Sequence, residues 1–265
     1  FLSVRADAVV DQERRDYLAP VPAAVLVGAP FSMPALSVPR IPALSVSIVD
    51  FGAVGDGRTL NTDAFARAIR HVAEKGGGRV AVPRGIWLTG PIVLLDNIQL
   101  HTESGALVLF SPDRTLYPLV DTSFEGSRRL RCQSPLSAQG VANIAITGEG
   151  VFDGSGQVWR PVKRGKTTEE QWRNLVASGG VVDEKGTTWW PSAGALAGSR
   201  QDNGGLSREA AERVRDFLRP VMVSLKECRN VLLDGPTFRN SPAWNIHPLL
   251  CENVVIRNLT VLNPW

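Results

Sequence analysis

"CRNVLLDGPTFRN", residues Cys228 to Asn240, is answered by "CENVVIRNLTVLN", residues Cys251 to Asn263, at a spacing of 23. Each phrase carries a Cys, an Asn two places on, and then an apolar-x-apolar run. The same kernel recurs upstream as Asn97-Ile-x-Leu and Asn143-Ile-x-Ile, 46 apart, which is twice 23. A period in the low twenties with one short strand per repeat marks a solenoid, because a single coil cannot bury its inward side chains without coils above and below it. The repeated Asn falls where the chain turns into the strand, and stacked amides there can hydrogen-bond along the solenoid axis. A leucine-rich horseshoe shares the period but requires a denser L-x-x-L-x-L-x-x-N phrase, which is missing, so the kernel reads as a parallel β-helix, an all-β solenoid. One continuous inward column is expected from Ile98, Leu100, Ile144, Ile146, Val231, Leu233, Val254 and Ile256.

The text around the kernel agrees with this reading. From Arg79 onward, short β runs ("RVAVP", "IWLTG", "IVLLDNIQLHTESGALVLF") are each closed by Gly, Pro, Asn or Asp. Before them, Ala64, Phe65, Ala68, Ile69 and Val72 recur at helical spacing between cap candidates at Asn61 to Asp63 and a stop at Gly76 to Gly78. This predicts an N-terminal helix with one face on the core. Residues 1–47 are rich in Pro, Ala, Val and Ser and read as an extended arm packed on a body that spans 48–265. Between Asn143 and Asn230 the period breaks for 87 residues. The polar, Gly-rich stretch at about 155–218 reads as a long loop insertion with two short helices, "TTEEQWRNLVA" and "SREAAERVRDFL". Loops on one face of a solenoid commonly build its binding surface, and the lesser alternative is an excursion that only packs on the scaffold.

Composition narrows the function. With 43% apolar and 21% charged residues the chain is expected to be globular. A formal charge of +3 with 29 basic residues dispersed among 26 acids allows an acidic partner without selecting nucleic acid. No apolar run is long enough for a spanning helix, so no membrane partner is expected. Cys132, Cys228 and Cys251 show no C-x-x-C or C-x-x-H spacing, so neither a metal nor another cofactor is predicted. Cys228 and Cys251 occupy equivalent places in the repeat, as stacked core thiols or as a disulfide. The chain opens without an initiator Met or a charged leader, and Ala6 to Ala8 reads either as a frayed terminus or as the end of a cleaved signal.

"VDFGAVGDGRTLNTDAFARAI", "GGGRVAVPRGIWLTGPIVL", "LHTESGALVLFSPD", "NIAITGEGVFDGSG" and "RPVMVSLKECRNVLLDGPTFRNSPAWNIHP" resemble, in order, the amino-terminal half of the polygalacturonase family, glycoside hydrolase family 28, within the pectin-lyase-like superfamily. The last of these phrases is the specific one. The resemblance implies a right-handed parallel β-helix and a secreted or periplasmic protein that hydrolyses α-linked galacturonate in pectin or a related acidic glycan, with inversion. Inversion requires an acid on the leaving oxygen and a carboxylate activating water, held apart by the width of that water. The family draws these from an Asn-x-Asp strand and an Asp-Asp pair, followed by Gly-His-Gly and Arg-x-Lys. The sequence reaches "LNPW" ahead of where these would start, so the expectation is that the parent protein catalyses and that no catalytic residue lies in this chain. A calcium-dependent pectate lyase would need clustered acidic ligands, which are not seen, and a non-catalytic glycan-binding β-helix is the rival from outside the enzymes.

Several decoys are set aside. Asn61-Thr62-Asp63 has the letters of the family motif but opens a predicted helix, and Asp56 and Asp153 read as turn residues. His71 near a helix end and His101 in a β phrase read as structural. His247 and Trp244 differ, because "NSPAWNIHP" leaves a strand at Asn240, turns at Pro242 and presents both beside the next coil. The resemblance places this segment beside the cleft, where Trp stacks on a sugar ring and His or Asn bonds hydroxyl or carboxylate. Asn240, Trp244, His247, Trp189 and Trp190 are therefore the candidate substrate contacts. The alternative for Trp244 is a packed ring with its indole N–H satisfied by the backbone. Oligomeric state is left open.

Overall fold

The computed structural model of the chain describes residues 36–264. Most of the proline-rich arm, the Ala6 to Ala8 segment and Trp265 lie outside these residues. Within them, the chain winds as a right-handed parallel β-helix. Three parallel sheets form its sides. The first contains Ser45–Ser47, Gly78–Val82, Ile98–Thr102, Ala142–Gly148, Arg229–Asp234 and Glu252–Arg257. The second contains Gly85–Thr89, Ala106–Phe110, Val151–Asp153, Thr237–Arg239 and Thr260–Leu262, and the third Ile92–Val93, Leu136–Gln139, Val223–Lys226 and Ile246–Leu249.

The Asn kernel fixes the register. Asn97, Asn143, Asn230 and Asn253 all adopt left-handed backbone, at φ 60°, 56°, 54° and 54°. Asn tolerates this region better than other side-chain-bearing residues. Each amide then reaches the coil below: Nδ2 of Asn143 donates to Oδ1 of Asn97 (3.0 Å), Asn230 to Asn143 (3.0 Å) and Asn253 to Asn230 (2.8 Å). Leu100 pairs with Ile146, Ile146 with Leu233 and Leu233 with Ile256. The expected column therefore forms, with Ile98, Leu100, Ile144, Ile146, Val231 and Leu233 buried and Val254 packed against them. Ile256 continues the register but is 46% exposed, since no described coil covers it. On the second sheet, Phe152 and Phe238 stack at 5.2 Å.

Helix α1, Thr62–Glu74, lies over one end of the solenoid, its Phe65, Ala68, Ile69 and Val72 sharing a core with Val80, Ile98 and Leu100. Its start differs from expectation in one respect. Asn61 sits at the cap position but makes no side-chain cap bond; buried, it donates to the carbonyls of Val54, Thr59 and Leu88 and ties the preceding loop down. His71 packs on Phe51, and His101 is buried with Nδ1 2.8 Å from Thr147 Oγ1. Asp56 accepts from the N–H groups of Arg58 and Thr59, as a turn residue does. Cys228 and Cys251 are free thiols. Ser37 exchanges hydrogen bonds with the Asn253 side chain, and Val38 packs on Ala145, Leu232 and Val255 on the outside of the first sheet.

Two long detours leave the solenoid at one corner, between the second and third sheets. The first carries an antiparallel hairpin, Leu119–Phe124 with Ser127–Cys132, turning at Glu125 (φ 51°) and Gly126 (φ 74°). Positive φ at both central residues is what a type I′ hairpin turn requires. The second detour runs from Gly154 to Met222. It holds helix α2, Glu169–Ala177, with a Thr168/Gln171 capping box; a small antiparallel sheet of Val162–Lys163, Val181–Val182 and Thr188–Trp190; and short helices α3, Ala193–Gly198, and α4, Arg208–Arg213. The two detours share a core of their own, in which Tyr117, Leu119 and Cys132 meet Trp159, Ala211, Val214 and Leu218.

Candidate functional site

The outer face of the third sheet is floored by small and polar side chains in register. Val93 lies beside Ser137, Ser137 beside Ser224, and Ser224 beside His247; Gln139, Lys226 and Leu249 form the next row. Strand alternation turns these outward while Leu136, Val223 and Leu225 face the core. The hairpin stands over this floor and closes a cavity of ≈ 220 Å³ in which Phe124, Arg131, Ser137, Ser224, Lys226 and His247 take part.

Trp244 and His247 come together at the head of the groove, ring centroids 5.3 Å apart. Trp244 is 43% exposed, so it is not the fully packed ring of the alternative reading. One of its faces is already taken: Phe124, from the hairpin, stacks on it at 4.4 Å and 14°. Arg131 lies over the Phe124 ring, its Cζ 3.6 Å from the centroid. Asn240 is placed at the same corner, but its amide donates to Asp153 (3.1 and 3.2 Å). Asp153 also accepts from Arg239 Nε (2.7 Å) and from the N–H of Ser155, so this buried carboxylate clasps two coils and is not a free acid. A side chain at Gly156 would meet the Ser241 carbonyl at 2.3 Å, which is why the detour can pass this close to the corner only as glycine.

Trp189 and Trp190 are not brought to the groove floor. Trp189 is buried within the insertion, with Nε1 donating to Gly179 O (2.7 Å), and Trp190 packs on Phe217 at 6.2 Å. Arg164-Gly165-Lys166 spells Arg-x-Lys, letters that are easy to pass over. It forms a 3-10 turn in the insertion, with Arg164 paired to Glu169 (3.1 Å).

Sequence reasoning missed a second cavity of ≈ 510 Å³ on the other side of Phe124 and Arg131. It is lined by Arg129, Arg131, Arg160 and Arg219 together with Phe217 and Trp244, and by two acids, Glu125 and Asp202. Burial pulls the Arg131 guanidinium down to about 10, with Arg219 adding to the effect. Arg219 is lowered by burial and then by Arg160. The one signal in the sequence was local Arg density in "SRRLRC"; the other two arginines sit far along the chain, each before a Pro.

No family model matches the chain. It is 28% identical over 225 residues to a probable polygalacturonase of Vitis vinifera and 29% identical over 232 residues to an exo-poly-α-D-galacturonosidase of Dickeya chrysanthemi. These alignments cover 84% and 83% of the chain but only 38% and 35% of those relatives. Among solved structures it superposes on an exopolygalacturonase from Thermotoga maritima (36% identity, TM-score 0.63, 86% of this chain, 49% of that one). A family 28 exopolygalacturonase from Yersinia enterocolitica gives 27% identity and a TM-score of 0.60, over 84% of this chain and 39% of that one.

Proposed function

The chain is a relative of the family 28 polygalacturonases within the pectin-lyase-like superfamily, and from that kinship we propose that it supplies part of an inverting glycoside hydrolase acting on pectic polygalacturonate. The observation that carries this is the groove on the third sheet. Its polar floor of Ser137, Ser224, Gln139 and His247 runs beneath Trp244, and arginines stand at its flank. Serine and glutamine side chains bond sugar hydroxyls, Trp244 offers its uncovered face or edge to a ring, and Arg131 and Lys226 answer carboxylates. The chain spans little more than a third of the length of these two curated relatives.

The carboxylates around the groove already have other tasks. Asp153, at the corner, clasps two coils, and of the acids lining the cavities Asp121 is an exposed partner of Arg128 and Asp202 of Arg129. Inversion needs two carboxyl groups facing each other across the scissile bond with room for water, and the described part of the groove presents no such pair. The 265 residues are therefore assigned substrate holding, with the acid and base roles supplied from elsewhere in the parent protein. A pectic substrate places that protein outside the cytoplasm, secreted or periplasmic. Among the described residues no helix is long and apolar enough to cross a membrane.

Reducing-end release from polygalacturonate tests the proposal. The protein as the cell makes it is expected to release galacturonate ends, while the 265-residue chain alone releases none. Turnover of about 1 s⁻¹ by the chain alone would return the catalytic acids to residues placed here as caps and clasps. Absence of hydrolysis by the whole protein, on pectic and related uronate polymers alike, would remove the hydrolase reading.

A further inference from the structure

We propose that the arginine-lined pocket between the hairpin and the insertion is a uronate-carboxylate site, and that Arg129 and Arg219 make the chain prefer acidic over neutral glycan. The inference rests on the glycan-hydrolase reading of the adjoining groove and adds to it the residues that read the charge.

Four guanidinium groups converge here from three separate places: Arg129 and Arg131 from the hairpin, Arg160 from the start of the insertion and Arg219 from its end. Such a gathering of like charge opposes folding unless something is gained by it. The internal compensation is small. Arg131 spends Nε and Nη2 on the Arg219 carbonyl, and Arg219 Nη1 donates to the Pro242 carbonyl (3.2 Å). Neither has a carboxylate partner among the described residues. Arg129 reaches Asp202 at 3.4 Å, but Asp202 is 87% exposed and its grip is weak; the Arg129 Nε is buried and has no hydrogen-bond partner. Set against Glu125 and Asp202, Arg129, Arg131 and Arg219 by themselves keep the described lining net positive.

Backbone carbonyls fix the direction of Arg131 and Arg219 without neutralising them, which leaves a preorganised pair of cations facing a cavity of ≈ 510 Å³. Burial lowers the pKa of Arg131 and Arg219, as expected of cations held away from water. A carboxylate entering the pocket meets planar forks suited to bidentate bonding. The aromatic neighbours select the carrier of that carboxylate. Trp244 and Phe217 line the same cavity, and the face of a sugar ring fits against them while its acid group points to the arginines. Phe124 and Arg131 are common to both cavities, so a chain lying in the groove can present one of its units here.

The test uses the 265-residue chain with trigalacturonate and with its neutral galactose counterpart, binding being read by calorimetry. The wild-type chain is expected to bind the acidic trisaccharide at least about tenfold more tightly. Arg129→Gln and Arg219→Gln are each expected to weaken acidic binding about tenfold while leaving the neutral sugar within about twofold. Arg164→Gln, in an exposed pair of the insertion, should change neither. Equal losses for both sugars, unchanged acidic binding in folded variants, or a wild-type chain that does not distinguish the two sugars would each overturn the proposal. If Arg219→Gln fails to fold, Arg129→Gln carries the test, since its one partner is exposed. Hydrolysis by the whole protein with uronate binding indifferent to Arg129→Gln would sink the pocket and leave the hydrolase standing. Arginine-dependent binding with no hydrolysis would do the reverse.

Discussion

Asn143 performs two tasks that different substitutions can separate. Its left-handed backbone lets the chain enter the first sheet, and its amide links the coil below to the coil above. Asn143→Gly keeps the turn and loses the ladder; Asn143→Ala loses both. Urea unfolding should show the Gly variant destabilised by about 1 kcal/mol and the Ala variant by about 1–2 kcal/mol more. An Ala variant as stable as the Gly variant would mean that the turn is not strained. The thiols give a second residue-scale prediction. Burial pushes Cys132 up to about 11 from an ordinary 9.0, against a weaker downward pull from Arg215. The folded chain thus holds this proton between pH 9 and 11 where the unfolded chain releases it, so stability present below pH 9 falls as pH rises through that window, by an order of 2 kcal/mol. The decline should be shallower in Cys132→Ala. At pH 8, iodoacetamide should modify the partly exposed Cys251 well before Cys132.

At the scale of elements, the strands were legible because each repeats a local pattern that its neighbours reinforce. Ile98, Ile144, Val231 and Val254 announce themselves by spacing alone. The two helices read in the insertion correspond to α2 and α4, since each has a capping residue and a helical run. The hairpin was not read, although Glu125-Gly126 between two six-residue runs is a turn signal; Arg and Ser on its exposed face blurred the alternation. The arginine pocket was illegible for a different reason. Its members come from loops whose meeting is decided by Tyr117, Trp159 and Leu218 packing together, a contact that no period records. That packing can be tested. Trp159→Ala should cost about 3–5 kcal/mol and release the hairpin from the insertion, seen as loss of amide protection over residues 119–132 with the solenoid strands still protected. Uniform loss of protection would mean that hairpin and solenoid unfold as one.

For the whole molecule, stability is close to a sum over coils and their interfaces. The cost of a core truncation should therefore follow its place along the axis and not the identity of the residue removed. Leu233, 1% exposed between two coils, should cost about 2–5 kcal/mol as Ala. Ile256 holds the equivalent position one coil on, yet at 46% exposure its truncation should cost under about 1 kcal/mol. Similar losses at the two sites would mean that the last described coil is better covered than its exposure indicates.

Both long detours leave and rejoin the solenoid at the same corner, and this makes the molecule unequally tolerant of added length. A residue inserted between Asn143 and Ile146 would turn Ile146 and every later side chain of that strand to the opposite face. Any number inserted between Asp153 and Val223 would leave the pairing of Ile146 with Leu233 untouched. The spine keeps count and the corner does not. New specificity can accumulate at the corner, one floor at a time, as lengthening and rewriting of the loops beside the groove, while the strands beneath them stay as they are.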